Sequence, residues 1–184
     1  MLDRSPGGGS LVDRTDTASV QTPLCRVLGL TAPVVQAPIG SAATPALAAA
    51  VSNAGGLGML ALSWTPPDAV RARLRDVRAR TERPFGANVI LEWDQRERIA
   101  ACLAESVPVV STFWGDPAPY VDLIHAGNAL PLHSVGSAAE ADHAVAAGVD
   151  VIVAQGWERA AGFGDMWPRW CSCQPSSTRS TRCR

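Results

Sequence analysis

Residues 33–40 read Pro-Val-Val-Gln-Ala-Pro-Ile-Gly, a short apolar run followed by a turn. The β-branched pair Val34 and Val35 predicts a strand that ends at Gln36. A sheet that binds a dinucleotide carries Gly-x-Gly-x-x-Gly directly after its first strand, where glycines let the backbone approach the pyrophosphate. Residues 36–40 lack this pattern, so they argue against a dinucleotide-binding sheet.

Five further apolar runs follow the first one, and Ala-rich amphipathic stretches separate them. Because the runs show no regular polar alternation, they predict parallel strands that are buried on both faces. The predicted strands are 34–36, 58–60, Phe85–Ile90, 107–112, Leu130–Val135 and 149–154. The predicted helices are Pro45–Asn53, 66–80, 94–104, 117–126 and 138–147. Thr44 is the predicted N-cap of the first of them.

A series of strand–helix units without a hairpin signal leaves two architectures, a (β/α)8 barrel and an open doubly wound sheet. The absence of the glycine pattern favours the barrel. A complete barrel takes about 250 residues, whereas this chain has 184. The sequence therefore predicts an α/β fold, namely an incomplete (β/α)8 TIM barrel of about six βα units.

The composition fits one packed domain, because 47% of the residues are hydrophobic and 18% are charged. A formal net charge of -1 argues against a nucleic-acid partner. No apolar run reaches the length of about 18 residues that a membrane span needs. Residues 1–21 lack the apolar core of a secretory signal, so we interpret them as a disordered leader and expect a cytoplasmic protein.

The carboxyl ends of the predicted strands carry mostly small or amide-bearing residues. In a barrel, the groups that face a ligand lie at these ends. The stretches are 36–40, 58–60, Asn88, 111–115, 133–136 and 155–158. Such a lining suits hydrogen bonding to a neutral planar heterocycle, and it predicts no metal site. The alternative is that glycine and serine only make tight turns at these points.

The histidines and one tryptophan leave further alternatives open. His133 lies near the end of the fifth predicted strand, where an imidazole could act as acid, base or anion donor. His125 and His143 fall on predicted helices and are expected at the surface or in helix packing. Trp114 follows the fourth predicted strand and either walls an apolar pocket or anchors a loop.

An ordered series of motifs runs from about residue 22 to residue 158. It comprises Pro-Val-Val-Gln-Ala-Pro-Ile-Gly at 33–40, Val-Ser-Asn-Ala-Gly-Gly-Leu-Gly at 51–58, Pro-Phe-Gly-Ala-Asn at 84–88, Val-Gly-Ser at 135–137 and Ala-Gln-Gly-Trp-Glu at 154–158. In this order and spacing, the series resembles the nitronate monooxygenase (2-nitropropane dioxygenase-like) family.

The resemblance implies a partial FMN-binding TIM-barrel domain over 22–158. It implies an enzyme that oxidises alkyl nitronates with O₂ to a carbonyl compound and nitrite, with the nitronate or nitroalkane and O₂ as its small-molecule partners. The family pattern places Gln36, Ala37, Pro38, Ile39 and Gly40 beside the flavin, with Asn88, Gln155 and Gly156 hydrogen-bonding to it.

The family pattern breaks after Glu158, where Arg159 begins a stretch without the Ala-Gly-Gly-His that carries the family's catalytic histidine. His133 is then the candidate catalytic residue that is left. Residues 159–184 show no strand–helix periodicity and hold three of the five cysteines. Their Cys-x-Cys is a poor zinc signal without a second pair. We interpret 159–184 as a non-native, out-of-frame tail on a C-terminally truncated domain, which sequencing of the gene would test.

Two alternatives to nitronate oxidation stay open. The first is an FMN-dependent enoyl-acyl-carrier-protein reductase-like enzyme, which shares the barrel and the opening motifs but needs a nicotinamide donor. The second is an inactive barrel fragment, because an unclosed parallel sheet exposes strand edges and an apolar interior.

Overall fold

The computed structural model describes residues 20–155. Residues 1–19 of the predicted leader, the predicted cofactor contact Gly156, Glu158 and the predicted tail 159–184 lie outside this range. Five parallel strands form one sheet in the order β1 to β5. They are β1 Gly58–Ala61, β2 Phe85–Ile90, β3 Val109–Phe113, β4 Leu130–Val135 and β5 Val151–Ala154. The helices are α1 Pro23–Leu28, α2 Pro45–Asn53, α3 Pro67–Arg78, α4 Arg96–Ala104, α5 Ala118–Ala126 and α6 Ala138–Ala146.

The first predicted strand, 34–36, is reduced to a single parallel bridge between Val35 and Leu57. The chain leaves the ladder here because Pro38 has no N–H to donate. The side chain of Gln36 continues the pairing in place of the backbone. Its Nε2 donates to the Met59 carbonyl at 3.1 Å, and its Oε1 accepts from the Met59 N–H at 3.3 Å. The other five predicted strands are confirmed with small shifts of their ends.

Local sequence signals explain where two of the helices begin. The predicted cap Thr44 accepts a hydrogen bond from the N–H of Leu47 at 3.2 Å, directly before Pro45. Ser137 caps α6 by accepting from the Glu140 N–H, while the Glu140 carboxylate accepts from the N–H of Gly136. This reciprocal arrangement resembles a capping box and fixes the turn between β4 and α6.

The sheet has two faces with different neighbours. On the outer face, Leu60, Phe85, Val89 and Val110 pack in one cluster with residues of α2 to α5. The opposite face, which we call the inner face, carries a separate cluster. That cluster joins Leu57, Met59, Val109 and Leu132 to Cys25 and Leu30, in and just after α1. Because Met59 and Val109 lie near the starts of their strands, α1 covers the amino end of the inner face.

No helix among the described residues is long and apolar enough to cross a membrane.

Candidate active site

The strand register places Ala61, Asn88, Ser111 and Leu132 in one row across β1 to β4. Side chains alternate between the two faces of a strand, and register partners in a parallel pair share a face. Ser111 lies two residues after the inner-face residue Val109, so this row faces inward. The row lies two residues nearer the carboxyl ends of the strands than Met59 and Val109, which pack in the inner-face cluster with α1.

Asn88 and Ser111 differ from the other buried polar residues of the described chain. Nine such residues are buried, and seven of them use their side chains in hydrogen bonds. Asn88 is 6% exposed and Ser111 is 5% exposed, yet neither side chain bonds to any described residue. Every fully buried side-chain polar atom in this part of the chain has a partner. The amide and the hydroxyl therefore keep a small accessible area on the inner face.

Residues 37–40 continue from the Val35 bridge toward the carboxyl end of β1, where the sequence predicts a flavin contact. The Gln36 amide is engaged by Met59, and the Ile39 N–H donates to the Ala37 carbonyl at 3.0 Å. Ile39 is 62% exposed, and Gly40 has φ 38 at the start of the 3₁₀ turn Gly40–Ala42. A positive φ at this point favours glycine. Flavin contacts of Gln36, Ala37, Pro38, Ile39 and Gly40 stay predictions.

Gln155 follows β5 directly, and its N–H donates to the Val135 carbonyl at 3.0 Å. This bond extends the β4–β5 ladder by one residue and holds Gln155 at the carboxyl end of the sheet. The side chain is exposed there. Its predicted contact with a flavin stays a prediction.

His133 lies on the outer face, on the other side of the sheet from Asn88. It is the register partner of Thr112, and Val135, two residues further, packs against Val121 and Ala144 of α5 and α6. His133 is 4% exposed, with its Nδ1 2.8 Å from the Thr112 Oγ1. The Thr112 hydroxyl donates its one proton to the Leu132 carbonyl at 3.1 Å, so Nδ1 donates to Thr112. This geometry favours a structural role for His133, and its catalytic role stays a prediction.

The loops after β1, β2 and β3 carry two aromatic pairs. Trp64 and Trp93 have ring centroids 5.8 Å apart, and Phe113 stacks on Trp114 at 4.7 Å. Trp114 has φ 54, a left-handed conformation that is costly for a bulky residue. The turn is tight, because a Cβ on Gly115 would lie 2.5 Å from the Leu91 carbonyl oxygen. Because they follow β1, β2 and β3, these aromatic side chains lie at the carboxyl end of the sheet.

The remaining titratable candidates have other partners. His143 lies 2.9 Å from Asp116, and His125 lies 2.9 Å from Asp150, all at the surface. Burial alone would raise the pKa of Asp116, but the Ala118 N–H and His143 lower it overall. Burial raises the pKa of Cys102 to about 12, so this thiol is neutral and unsuited to nucleophilic attack. Within residues 20–155, no cluster of three His, Cys, Asp or Glu could hold a metal.

Sequence reasoning identified Asn88 and not Ser111 as a single candidate, although 111–115 was among the predicted strand ends. The missing signal was strand parity, that is, which of the two faces of the sheet each residue of a strand occupies. Ser111 lies on the same face of the sheet as Asn88, whereas His133 lies on the other face. Parity cannot be read from a sequence until the register of neighbouring strands is known.

Comparisons with known proteins agree with this arrangement. The family model for nitronate monooxygenase matches residues 21–100. A nitronate monooxygenase of Paraburkholderia phytofirmans is 35% identical, with 77% of this chain and 50% of the relative covered. A (3aS,4S,5R,7aS)-5-hydroxy-7a-methyl-1-oxo-octahydro-1H-indene-4-carboxyl-CoA dehydrogenase of Mycobacterium tuberculosis is 33% identical, with 79% and 41% covered. The chain spans about half the length of the curated relatives it matches.

Two solved structures share the fold. FabK from Thermotoga maritima has a TM-score of 0.71 and 33% identity, covering 73% of this chain and 44% of FabK. Nitroalkane oxidase from Streptomyces ansochromogenes has a TM-score of 0.66 and 29% identity, covering 73% and 48%. Both are TIM-barrel enzymes, so the predicted fold, an incomplete (β/α)8 barrel, is confirmed. Together with the match of the family model to residues 21–100, these likenesses support the nitronate monooxygenase family for this chain.

Proposed function

We propose that this protein is a flavin-dependent oxidoreductase that uses FMN and O₂ to oxidise alkyl nitronates to a carbonyl compound and nitrite. The observation that carries the proposal is the Asn88 amide, which is buried on the inner face and has no hydrogen-bond partner among the described residues. An amide both donates and accepts, and the polar edge of a flavin ring presents carbonyl oxygens and an N–H. A neutral donor set of this kind fits a flavin better than a metal ion.

In this proposal, FMN supplies the redox chemistry, and the residues of the chain bind and orient. Asn88 would hold the ring edge, while the backbone of residues 37–40 and Gln155 would border it at the carboxyl end. The apolar floor of Met59 and Val109, covered by α1, would exclude water from below.

The inward-facing residues of the described strands offer no base that could remove a proton from a substrate, because β1 to β5 carry no titratable side chain on this face. A nitronate has already lost its α proton, so it needs no base within this surface, whereas a neutral nitroalkane does. We therefore propose a nitronate as the substrate. The cytoplasmic location stays a prediction from the sequence.

The test uses the whole 184-residue chain purified with and without added FMN. Quenching of FMN fluorescence measures cofactor binding, and a colorimetric assay measures nitrite released from propyl-2-nitronate in air. We expect saturable quenching and nitrite release that depends on both FMN and O₂. Oxidation of NADH with an enoyl thioester and no nitrite would support the enoyl-acyl-carrier-protein reductase-like alternative. A chain that quenches no FMN would support the inactive fragment and contradict our proposal.

Replacing His133 with alanine is expected to lower stability and leave flavin binding intact. The change removes the hydrogen bond to Thr112 and leaves a cavity between the sheet and the helices, which together cost about 2–4 kcal/mol. Urea unfolding followed by circular dichroism measures the loss, and FMN titration at 10 °C checks binding in the folded variant. Unchanged stability with abolished nitrite release would instead make His133 catalytic.

A further inference from the structure

Ser111 is the second buried polar residue whose side chain has no hydrogen-bond partner among the described residues, and the proposed function gives it no role. Other buried hydroxyls of the described chain are engaged. Ser52 donates to the Pro84 carbonyl at 2.8 Å, and Ser63 accepts from the Ile90 N–H at 2.8 Å. Thr112, the next residue along β3, donates to the Leu132 carbonyl. The Ser111 hydroxyl, in contrast, lies on the inner face and bonds to no described residue.

The Ser111 hydroxyl keeps a small accessible area, because every fully buried side-chain polar atom of the described residues has a partner. The residue as a whole is only 5% exposed, so the hydroxyl has little contact with water. It bonds to no described residue, so the fold does not use it for its own stability. A ligand that bonds to the hydroxyl would replace this limited hydration with a direct hydrogen bond, as it would for Asn88.

Asn88 and Ser111 are placed to bind one ligand together. They are direct register partners in β2 and β3. Adjacent strands lie about 4.8 Å apart, and partner side chains leave the sheet in the same direction. The two side chains can therefore reach separate polar atoms on one edge of a planar ring.

Asn88 and Ser111 are the two polar residues in the inward-facing row across β1 to β4. Their neighbours in that row, Ala61 and Leu132, have no side-chain polar atom. Below them, the side chain of Met59 occupies the space over Gly86, where an added Cβ would lie 2.4 Å from the Met59 sulfur. A ring above Met59 would thus meet polar groups at Asn88 and Ser111 and apolar ones around them.

We propose that Ser111 binds the flavin ring through its Oγ, on the same edge as the Asn88 amide, so that the two residues form a two-point clamp. This inference rests on the proposed function, because it takes FMN as the ligand. Ser111 is a binding residue in this arrangement. It fixes the rotation of the ring in the plane of the row, which one contact from Asn88 alone would leave free.

The experiment compares Ser111→Ala with Thr112→Ala in the full chain. Thr112 is a matched control because it is the adjacent hydroxyl of the same strand, faces the helices and is already hydrogen-bonded. We expect Ser111→Ala to raise the Kd for FMN about five- to tenfold, measured by fluorescence quenching, with no loss of stability in urea. We expect Thr112→Ala to be less stable and to keep the Kd within about twofold. Ser111→Thr keeps the hydroxyl and should recover part of the affinity.

The outcomes separate this inference from the proposed function. If the unaltered chain binds FMN and Asn88→Ala weakens binding while Ser111→Ala does not, the clamp is wrong and the flavin site stands. If Ser111→Ala loses as much stability as Thr112→Ala, the hydroxyl has a structural role and the clamp is also wrong. If the unaltered chain binds no FMN, the proposed function fails and the clamp fails with it.

Discussion

Replacing Gly58 with alanine is expected to destabilise the chain by about 3 kcal/mol or more. An added Cβ would lie 1.9 Å from the carbonyl oxygen of Ala48 and 2.8 Å from its Cα. These are backbone atoms of α2, so no side chain can rotate away, and the helix itself would have to move. The movement would also stretch the bond in which the Ser52 hydroxyl accepts from the Gly58 N–H at 3.1 Å. Ser52 in turn holds the Pro84 carbonyl at the start of β2.

Urea unfolding of Gly58→Ala measures the effect, and Gly29→Ala is the matched control. Gly29 has φ 65 and no atom within 4 Å of an added Cβ, so its substitution tests backbone conformation without a steric clash. A left-handed alanine costs about 1–2 kcal/mol. We expect Gly58→Ala to lose clearly more stability than Gly29→Ala, or to be insoluble. Equal losses would show that α2 can move away from β1 at little cost.

Hydrophobic patterning was sufficient for most of the sheet because buried parallel strands are continuous apolar runs. β2 and β4 were predicted with the bounds that the structure has, and Thr44 was predicted as the cap of α2. The predicted strand at 34–36 was too long, because the structure has only the single bridge between Val35 and Leu57. The apolar run does not show that the Gln36 side chain, and not the backbone, makes the next hydrogen bond to β1. Side-chain pairing of this kind depends on a partner more than twenty positions along the chain.

The candidate site was predictable only in part, and strand parity explains the difference. Asn88 was predicted as a ligand-facing residue at a strand end, the resemblance to a family added its flavin contact, and it lies on the inner face. His133 was selected for its chemistry and its place near a strand end, but a shift of one residue along β4 reverses the face. Ser111 has a common residue type and no motif, so its lack of a partner became visible only when the hydrogen bonds of its neighbours were known.

Replacing Asn88 with leucine is expected to change stability and flavin affinity in opposite directions. Leucine has the branched shape and the number of side-chain heavy atoms of asparagine, and it replaces a mostly buried amide that has no partner in the described chain, so the free energy of unfolding should rise by up to about 1 kcal/mol. The same change removes the amide contact to the flavin edge. We expect the Kd for FMN to rise about ten- to hundredfold, equivalent to about 1.4–2.8 kcal/mol. Urea unfolding without FMN and fluorescence titration with FMN measure the two effects separately.

Gln95→Leu is the control that gives this result its meaning. Gln95 is also a buried amide, at 0% exposure, but its Nε2 donates to the Ile90 carbonyl at 2.8 Å. Leucine at position 95 cannot donate to the Ile90 carbonyl, so the free energy of unfolding should fall by about 1–3 kcal/mol. Two buried amides with opposite effects on stability would mean that the fold uses one for itself and reserves the other for a ligand. If Asn88→Leu instead loses stability as Gln95→Leu does, the Asn88 amide supports the fold, and the site must be sought elsewhere on the inner face.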